Sequence, residues 1–431
     1  MKFNYGKIFL LGFGFFGVSV IWGVYNAFVP IFLANKFSLS PAFIGFFMTL
    51  DNIAALFIQP PVGAWSDRLR TPIGRRLPFI LIGAPITALA FGFIPLASVL
   101  PLFVACTSTL LLSAALWRTP VVALMPDITP SEKRSQANGV INFMGGIGTI
   151  IALQTGGMLY KLSPVFPFWL GSALVVIAAL IVFLFVKEPK DYLESDEPQP
   201  SMIASLREVL NDEDKSGARI LFAIFFWFIG YSAVETFFTL YAQEYLGLNA
   251  GDGATLISVF PLFFVLFAIP SGFIAARISR RVAISMGLIV VAAILALCYI
   301  LPAQTLLRPI FPLPLVGIPL TEGGPRMLTI AGVLLVFGGV GWAFVNINSL
   351  PMVVELSSTA RIGTFTGLYY LFSTLSAIVG PNINGWAIQL TNNNYNVIML
   401  IAPFFMLAAL VLMLGVRRGE ATVLVTGPAA G

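Results

Sequence analysis

The stretch GAWSDRLRTPIGRR, residues 63–76, concentrates five charged residues between two long apolar runs. Residues 44–65 contain a single charge, and residues 77–104 contain none. Each apolar run is long enough to cross a lipid bilayer, and short loops rich in arginine remain on its cytoplasmic side. The stretch therefore predicts two membrane-spanning helices joined by a charged cytoplasmic loop.

Composition extends this prediction to the whole chain. Hydrophobic residues make up 58% of 431 and charged residues 10%, whereas about 25% of a soluble domain is charged. Mean hydropathy is +0.93. The N-terminal MKFNYGKIFLLGF has no small-residue cleavage site after a short apolar core, so we expect it to be retained as part of the first helix. The chain is predicted to be a multi-pass membrane protein.

Several function classes find no support in the residue types. The chain has no histidine, and its two cysteines, Cys106 and Cys298, lie in apolar runs, so neither a metal site nor a disulfide is expected. GFGFFG, residues 12–17, matches a nucleotide-binding pattern but lacks the preceding strand, and we interpret its glycines as helix-packing positions. No nucleophile–base set is visible. We expect neither an enzyme nor a cofactor, and no nucleic-acid partner.

Twelve spans are predicted, all α-helical. They lie near 8–33, 42–65, 77–97, 99–125, 137–159, 166–186, 220–246, 254–276, 282–302, 327–353, 363–389 and 396–416. Residues 303–326 are also apolar but contain five prolines, which would leave backbone groups unsatisfied in lipid. We expect an ordered external loop there.

The distribution of lysine and arginine predicts the orientation. With both termini in the cytoplasm, 19 of the 24 basic residues lie on the cytoplasmic side and four lie outside, namely Lys36, Lys161, Arg308 and Arg326. The remaining one, Arg118, lies inside the fourth span. This asymmetry predicts a cell-membrane protein with both termini cytoplasmic.

The two halves of the chain repeat one another. At an offset of 209, Asn26 aligns with Glu235 and Gly63 with Gly272; later offsets align Arg75 with Arg280 and Asp127 with Glu355. Such a repeat is typical of two-bundle transporters. We predict an N-terminal six-helix bundle (1–186), a cytoplasmic linker with an interfacial helix capped by Ser201 (187–219), a C-terminal six-helix bundle (220–416) and a cytoplasmic tail (417–431).

The charged loop resembles a known family signature. Gly63, Asp67, Arg68, Gly74, Arg75 and Arg76 resemble the G-x-x-x-D-R-x-G-R-R loop of the major facilitator superfamily, with an insertion after Arg68. SDRLRTPIGRRLPFILIGAP and residues 117–148 are more specifically similar to glycoside–pentoside–hexuronide:cation symporters of the sucrose and maltose type. The resemblance implies twelve helices in two pseudo-symmetric bundles and alternating access.

A gating role is expected for the charged loop and the equivalent turns. Asp67 can accept hydrogen bonds at the start of a helix from the other half, and the arginines can pair with Asp127 or with lipid phosphates. Asp127 with Arg134, and Glu355 with Arg361, place an acid and a base around equivalent turns. The alternative for the arginines is topology signalling alone.

Arg118 is the leading candidate for substrate binding. A charge that deep in a span usually faces a cavity, its guanidinium suits vicinal hydroxyls, and the matching arginine of sucrose-type symporters is implicated in sugar binding. A structural pair with Asp127 is the alternative. Further candidates, chosen for hydrogen-bonding or aromatic side chains on facing helices, are Trp22, Tyr25, Asn26, Tyr231, Glu235, Asn346, Asn348 and Tyr369, with Asn382 and Asn384 nearby.

Coupling requires a carboxylate that can bind and release a proton. The sucrose symporters that the chain resembles carry an aspartate eleven residues before the arginine, where this chain has Thr107. Asp51 and Glu235 are the remaining acids deep in spans. We expect Asp51 to carry the proton and Glu235 to bind sugar, with Glu235 as the alternative proton carrier. Alternatively, Asp51 has only a structural role, as the acceptor of a local hydrogen bond from Asn52 or a bond to the first helix.

The function that these features favour is cation-coupled symport of a di- or oligosaccharide, with a proton rather than sodium as the coupling cation. We expect a monomer whose partners are this sugar, the cation and membrane lipids. Two alternatives stay open: a proton-coupled exporter of amphipathic compounds, and a non-transporting sensor or assembly factor on the same fold.

Overall fold

The computed structural model describes residues 5–129, 133–188, 202–314, 316–321, 323–356 and 362–419, and they are mostly α-helical. The helices of the first half are α1 (Tyr5–Ile31), α2 (Pro41–Phe47), α3 (Leu50–Arg68), α4 (Leu77–Phe93), α5 (Leu100–Ile128), α6 (Arg134–Leu162) and α7 (Phe166–Phe185). Those that follow are α8 (Met202–Asn211), α9 (Ser216–Glu244), α10 (Ala250–Ile257), α11 (Val259–Ile278), α12 (Arg280–Ile300), α13 (Ala303–Leu306), α14 (Ile330–Val354), α15 (Ile362–Leu390) and α16 (Val397–Leu414).

These helices form the predicted twelve-span bundle. Among the described residues, eleven helical segments are long and apolar enough to cross a membrane, with α2–α3 and α10–α11 each acting as one span. The 29-residue α15 is the twelfth span. We call the end of the bundle that carries residues 69–76 and both described chain ends the terminal face, and the other end the opposite face.

Two spans that the sequence predicts to be continuous are broken at equivalent positions. The second span breaks between α2 and α3 at Thr49, and the eighth breaks between α10 and α11 at Ser258. These two residues are 209 apart, which is the offset of the repeat. Each hydroxyl donates to a carbonyl three residues earlier, Thr49 to Phe46 at 2.7 Å and Ser258 to Thr255 at 2.6 Å. Such hydroxyl bonds compete with the helical ladder and bend helices.

Residues 301–329 form no span, as their prolines predict, but they are more regular than a loop. After α13, the strands β1 (Pro309–Pro312), β2 (Ile318–Pro319) and β3 (Arg326–Thr329) form an antiparallel sheet in the order β1-β3-β2. The sheet satisfies part of the backbone hydrogen bonding of this proline-rich stretch on the opposite face. The Thr329 hydroxyl then caps α14 by accepting from the Gly332 amide.

The linker contains the predicted short helix, α8. Val209 is buried there and lies beside Gly217 at the start of α9, whereas Leu210 is exposed. Ser201, the expected cap, lies outside the described residues. The assignment of α8 to the membrane interface remains a prediction, as do the domain boundaries.

Close helix contacts between the two halves gather at the opposite face. Gly45 on α2 packs against the carbonyl of Pro381 on α15, and Gly157 on α6 packs against the carbonyl of Gly251 on α10. A side chain at Gly45 or Gly157 would collide with backbone, so both contacts require glycine. The halves are therefore held together at the opposite face.

Candidate functional site

A polar cluster lies midway along the bundle, where spans from both halves meet. Arg118 of α5 is ten residues, about 15 Å, from the end of its helix, and Glu235 of α9 is nine residues from the end of its own. Both side chains are exposed, although they lie at the depth of the bilayer core. They therefore face a cavity rather than packed protein or lipid.

Among the described residues, the Arg118 guanidinium has no hydrogen-bond or ion-pair partner within 4.0 Å. Its electrostatic neighbours are Asp51 and Tyr370. The alternative pairing with Asp127 is wrong, because Asp127 is bound by Arg75 and Arg76 at the terminal face. Five guanidinium donors are thus available to a ligand in the cavity.

Asp51 lies in the first turn of α3, directly after the break at Thr49. The free amides at a helix start favour a negative charge, and the Asn52 side-chain amide donates to Asp51 at 2.8 Å. This is the local hydrogen bond that the sequence analysis considers as a purely structural role for Asp51. Asp51 also interacts electrostatically with Arg118 and Glu235, so the structure brings the two candidate carboxylates into one cluster.

Asn26 and Glu235 connect the two halves. The Asn26 side-chain amide donates to the Glu235 carboxylate at 3.3 Å. These residues are equivalents in the repeat, so the pseudo-twofold axis passes close to their contact. The bond occupies one carboxylate oxygen with a neutral donor and leaves Glu235 without an ion-pair partner within 4.0 Å among the described residues.

Aromatic side chains lie close to the polar cluster. Trp22 meets Tyr25 edge-on, with ring centroids 5.5 Å apart. Tyr231 stacks on Trp342 at 4.4 Å and 7°, and Phe260 lies 6.2 Å from Tyr231. Trp22 and Tyr231 are half-buried, whereas Tyr25 is buried and interacts electrostatically with Asp51. Aromatic faces beside charged groups suit a ligand with both apolar and polar surfaces.

Some predicted binding residues are not brought to the cavity. Asn348 is buried and donates to the Phe344 carbonyl of its own helix at 2.9 Å, and Tyr369 is buried with its hydroxyl 3.2 Å from that of Ser349. Asn382 and Asn384 likewise donate to carbonyls of α15. In each case the side-chain amide bonds the carbonyl four residues earlier on its own helix. Asn346 is half-buried and stays a candidate.

The neighbour of Tyr369 was missed from the sequence. Tyr370 is exposed and interacts electrostatically with Arg118. The two tyrosines are adjacent, so they point to different faces of α15. The sequence does not reveal how α15 is rotated about its axis, and therefore does not show which tyrosine faces the cavity.

The charged loop folds into an ion-pair cluster within the first half. Arg76 is buried and binds Asp67, the Ser66 hydroxyl and, at 3.0 Å, Asp127. Arg75 binds Asp127 at 2.8 Å. Gly63, at the start of the motif, lies beside Thr119 of α5, and Arg68 is exposed.

Glu188, just after α7, is a member of this cluster that the sequence did not reveal. Its buried carboxylate accepts from the Arg76 amide at 2.9 Å and lies 3.7 Å from Arg75. It packs over Gly74, whose φ of +119° suits only glycine. Its position in the long polar linker gave no sign of this role.

Asp67 does not contact the other half in this structure. The sequence favoured a bond to the start of a helix from the second half, but the partners of Asp67 are Arg76 and, at 4.0 Å, Arg75. Its carboxylate is 56% exposed. Among the described residues no such bond forms in this conformation, and contact of Asp67 with the second half in another conformation remains a prediction.

The equivalent turn of the second half repeats the acid–arginine pairing. Glu355 pairs with Arg280 at 3.4 Å, as the repeat alignment with Asp127 and Arg75 implies. The predicted partners cannot be placed: the Arg134 side chain and all of Arg361 lie outside the described residues. Among the described residues, ion pairs at the terminal face stay within one half, join the first half to the linker or join the linker to the tail.

Polar contacts between the halves occur at the opposite face. Lys161 at the end of α6 forms an ion pair with Asp252 of α10, which is 6% exposed at its side chain. Asn35 donates to Gln243 at 3.1 Å nearby. From the sequence alone, Lys161 is assigned only a role in topology. These contacts join the two halves at the opposite face. Among the described residues, no ion pair joins the halves at the terminal face.

No metal site accompanies the cluster. Within the described ranges, no three acidic or cysteine side chains converge as metal ligands would.

Comparison with known proteins fits this architecture. Residues 11–381 match the family model of the Major Facilitator Superfamily. The chain belongs to this superfamily. It is accordingly a multi-pass membrane protein.

The curated relatives are similar at low identity. Multidrug resistance protein 2 of Bacillus subtilis (strain 168) is 27% identical over 250 residues, which cover 57% of this chain and 59% of the relative. Tetracycline resistance protein, class E, of Escherichia coli is 25% identical over 409 residues, which cover 90% of this chain and 91% of the relative. The chain thus spans little more than half of the first relative and nearly all of the second.

Among solved structures, a mutant of the nucleoside transporter NupG superposes with a TM-score of 0.72. It is 16% identical, and the superposition covers 95% of this chain and 100% of that one. This similarity shows that the chain and the nucleoside transporter share a fold. Its sugar-symporter subgroup remains a prediction.

Proposed function

We propose that this superfamily member is a proton-coupled symporter of a di- or oligosaccharide that works by alternating access. The observation that carries the proposal is Arg118, a cavity-exposed guanidinium in mid-membrane with no bonded partner among the described residues. Asp51 interacts electrostatically with both Arg118 and Glu235, and Asn26 donates to Glu235. Hydroxyl-rich solutes suit such a mixture of charged donors and acceptors flanked by aromatic rings.

Coupling follows from competition for Arg118. An ionised Asp51 attracts the guanidinium, whereas a protonated Asp51 releases it to bind sugar hydroxyls. Proton and sugar then occupy the cavity together, which is the condition for symport. Glu235 accepts hydrogen bonds from sugar hydroxyls in this scheme. Because Glu235 also accepts from Asn26, sugar binding affects a contact between the two halves.

The gates act at the two faces in turn. In the proposed orientation the terminal face is cytoplasmic, so the structure corresponds to an inward-open state. The opposite, external face is closed in this state by Lys161, Asp252 and the glycine contacts. Asp67, exposed at the terminal face, is placed to meet the second half when that face closes. The charged loop then latches the outward-open state.

An exporter of amphipathic compounds is the second candidate. The printed names of the relatives, which are resistance proteins, favour it, as do the aromatic rings of Trp22 and Tyr231. In an exporter driven by proton antiport, protons and substrate compete for the cavity instead of binding together. The two candidates therefore predict opposite effects of a proton gradient.

Proteoliposomes distinguish the candidates. Labelled sucrose, maltose and other oligosaccharides, and in parallel tetracycline, are offered under an imposed inward or outward pH gradient, with protein-free liposomes as the control. The proposal predicts that an inward proton gradient accumulates one of the sugars. Tetracycline movement against the direction of proton flow, with no sugar uptake, supports the exporter, and no flux of any solute supports the sensor alternative.

A further inference from the structure

Trp117, the neighbour of Arg118 on α5, is buried inside the first half of the bundle. Its side chain is 1% exposed, and its indole N–H donates to the Thr87 hydroxyl of α4 at 3.0 Å. The helices pack closely there, because a Cβ at Gly83 of α4 would lie 2.7 Å from the Trp117 Cβ. Trp117 therefore joins α5 to α4 directly beside the residue that faces the cavity.

The hydrogen bonding continues through two buried hydroxyls. The Thr87 hydroxyl donates to the Ser113 hydroxyl at 2.8 Å, and the Ser113 hydroxyl donates to the Thr109 carbonyl of its own helix at 2.7 Å. Thr87 and Ser113 are 0% and 6% exposed. The N–H and both O–H groups of these three side chains thus have acceptors. No water can replace a lost partner in mid-membrane, so this α4–α5 hydrogen-bond chain resists rotation of one helix against the other.

The second half has no such chain at the equivalent positions. The later repeat offsets align Thr87 with Ala292 and Trp117 with Val345. Ala292 and Val345 are 5% and 0% exposed, so α12 and α14 pack there through apolar side chains. Close packing of such a helix pair therefore does not require the hydrogen bonds, and they occur in the half that carries Arg118.

The rotation of α5 about its axis decides where Arg118 points. Successive residues of an α-helix lie about 100° apart around the axis, so a Trp117 directed at α4 turns Arg118 away from α4. Thr119, the next residue, lies beside Gly63 of α3. Arg118 lies between these two contacts and is exposed. A guanidinium binds through a planar fork of donors, so a small rotation of α5 changes which ligand atoms it can reach.

We propose that the α4–α5 hydrogen-bond chain positions Arg118, by fixing the rotation of α5 so that the guanidinium meets the ligand in the orientation that binding requires. Trp117 and Thr87 are positioning residues, and they touch no ligand themselves. A binding group needs supporting contacts that hold it to within about 0.5 Å. The effect on sugar affinity rests on the proposed function of Arg118, whereas the effect on its orientation does not.

Binding of labelled sucrose and maltose to the full chain in mild detergent tests the proposal. Thr87→Val removes the hydroxyl at nearly constant shape, so we expect affinity to fall roughly fivefold, the factor that one lost hydrogen bond gives. Thr87→Ser keeps the hydroxyl and should restore most of the affinity. Thr107→Val is the matched control and should leave affinity unchanged, because Thr107 is equally buried on α5 but donates to carbonyls of its own helix.

A double-mutant cycle with Arg118→Lys separates positioning from a general loss of structure. If Thr87 acts through Arg118, Thr87→Val should lower affinity in the unmodified protein but have no further effect in Arg118→Lys. Equal losses in the two backgrounds would overturn the proposal, as would an unchanged affinity in Thr87→Val alone. If Arg118→Lys itself leaves affinity unchanged, the proposed function of Arg118 fails, and the orientation measurement decides the present proposal.

Modification by phenylglyoxal, which reacts with accessible guanidinium groups, measures the orientation without any sugar. Peptide mass spectrometry gives the rate at Arg118 relative to the exposed Arg68 in the same sample. We expect this ratio to fall at least about twofold in Thr87→Val, because α5 is no longer held in one rotation, and to recover in Thr87→Ser. The same ratio in Thr87→Val as in the unmodified protein would overturn the proposal, whatever solute the protein carries.

Discussion

Arg118 shows how a single residue can be identified from depth alone. A charged side chain in mid-membrane is expensive unless a cavity solvates it, and the structure places Arg118 in such a cavity with its donors unoccupied. The same argument found Glu235 and Asp51. Depth could not say which face of a helix each neighbour occupies, and for that reason Tyr370 was missed while Asn348 and Tyr369 were included.

Replacing Arg118 by lysine tests its role. The substitution Arg118→Lys keeps the positive charge but loses the planar fork of donors, so we expect sugar affinity to fall at least about tenfold, the equivalent of roughly 1.4 kcal/mol. The measurement is equilibrium binding of the labelled sugar that the proteoliposome panel identifies. Arg70→Lys, on the charged loop, is the matched control. Unchanged affinity in Arg118→Lys would make this residue structural.

Gly74 tests the packing of the charged loop. An alanine there would adopt an unfavourable φ of +119° and collide with the Glu188 carboxylate. Gly247→Ala is the control, because Gly247 also has a positive φ, of +72°, but has open space around it. We expect Gly74→Ala to destabilise the protein by about 1–2 kcal/mol more than Gly247→Ala, measured by thermal unfolding in detergent. Equal losses would show that Glu188 does not restrain the loop.

At the scale of helices, the sequence predicted the number and order of the spans but not the breaks within them. Hydropathy reports only that a segment is apolar. A single hydroxyl that bends a helix does not change the mean hydropathy of the span enough to be recognised. The breaks at Thr49 and Ser258 became visible as a matched pair only in the structure, although the repeat offset already aligned them. The break at Thr49 matters most, because it puts Asp51 at a helix start.

The ion pair between α6 and α10 is expected to control the opposite face. Lys161→Ala leaves the nearly buried Asp252 carboxylate without its ion-pair partner, and opening of that face lets water reach this carboxylate. We expect the ratio of open to closed molecules at the opposite face to rise roughly tenfold. Spin labels at Leu162 and Asn393, in a background with both native cysteines replaced by serine, report the distance between the halves.

Two further variants control this experiment. Arg308→Ala removes another basic residue of the opposite face and should leave the distance distribution unchanged. Exchange of the charges, Lys161→Asp with Asp252→Lys, should restore closure. A closed distance in Lys161→Ala identical to that of the unmodified protein would remove the ion pair from the gate.

At the scale of the whole molecule, fold and family follow from a short charged loop, a repeat and the alternation of apolar runs, because the bilayer permits few alternatives. The site is only partly predictable. The sequence supplied its charged members, yet the contacts that define the conformational state, such as Lys161 with Asp252 and Glu188 with the charged loop, join residues whose proximity depends on how the helices pack. The solute itself depends on finer details of the same cavity.

The central claim is that Asp51 couples proton and solute movement, and transport by Asp51→Asn tests it most directly. Asparagine mimics the protonated carboxyl but cannot release a proton. The variant in proteoliposomes should therefore exchange labelled for unlabelled sugar between equal pools at a rate close to that of the unmodified protein, while failing to accumulate sugar under an inward pH gradient. Normal uphill accumulation by Asp51→Asn would contradict the account and move the coupling role to Glu235.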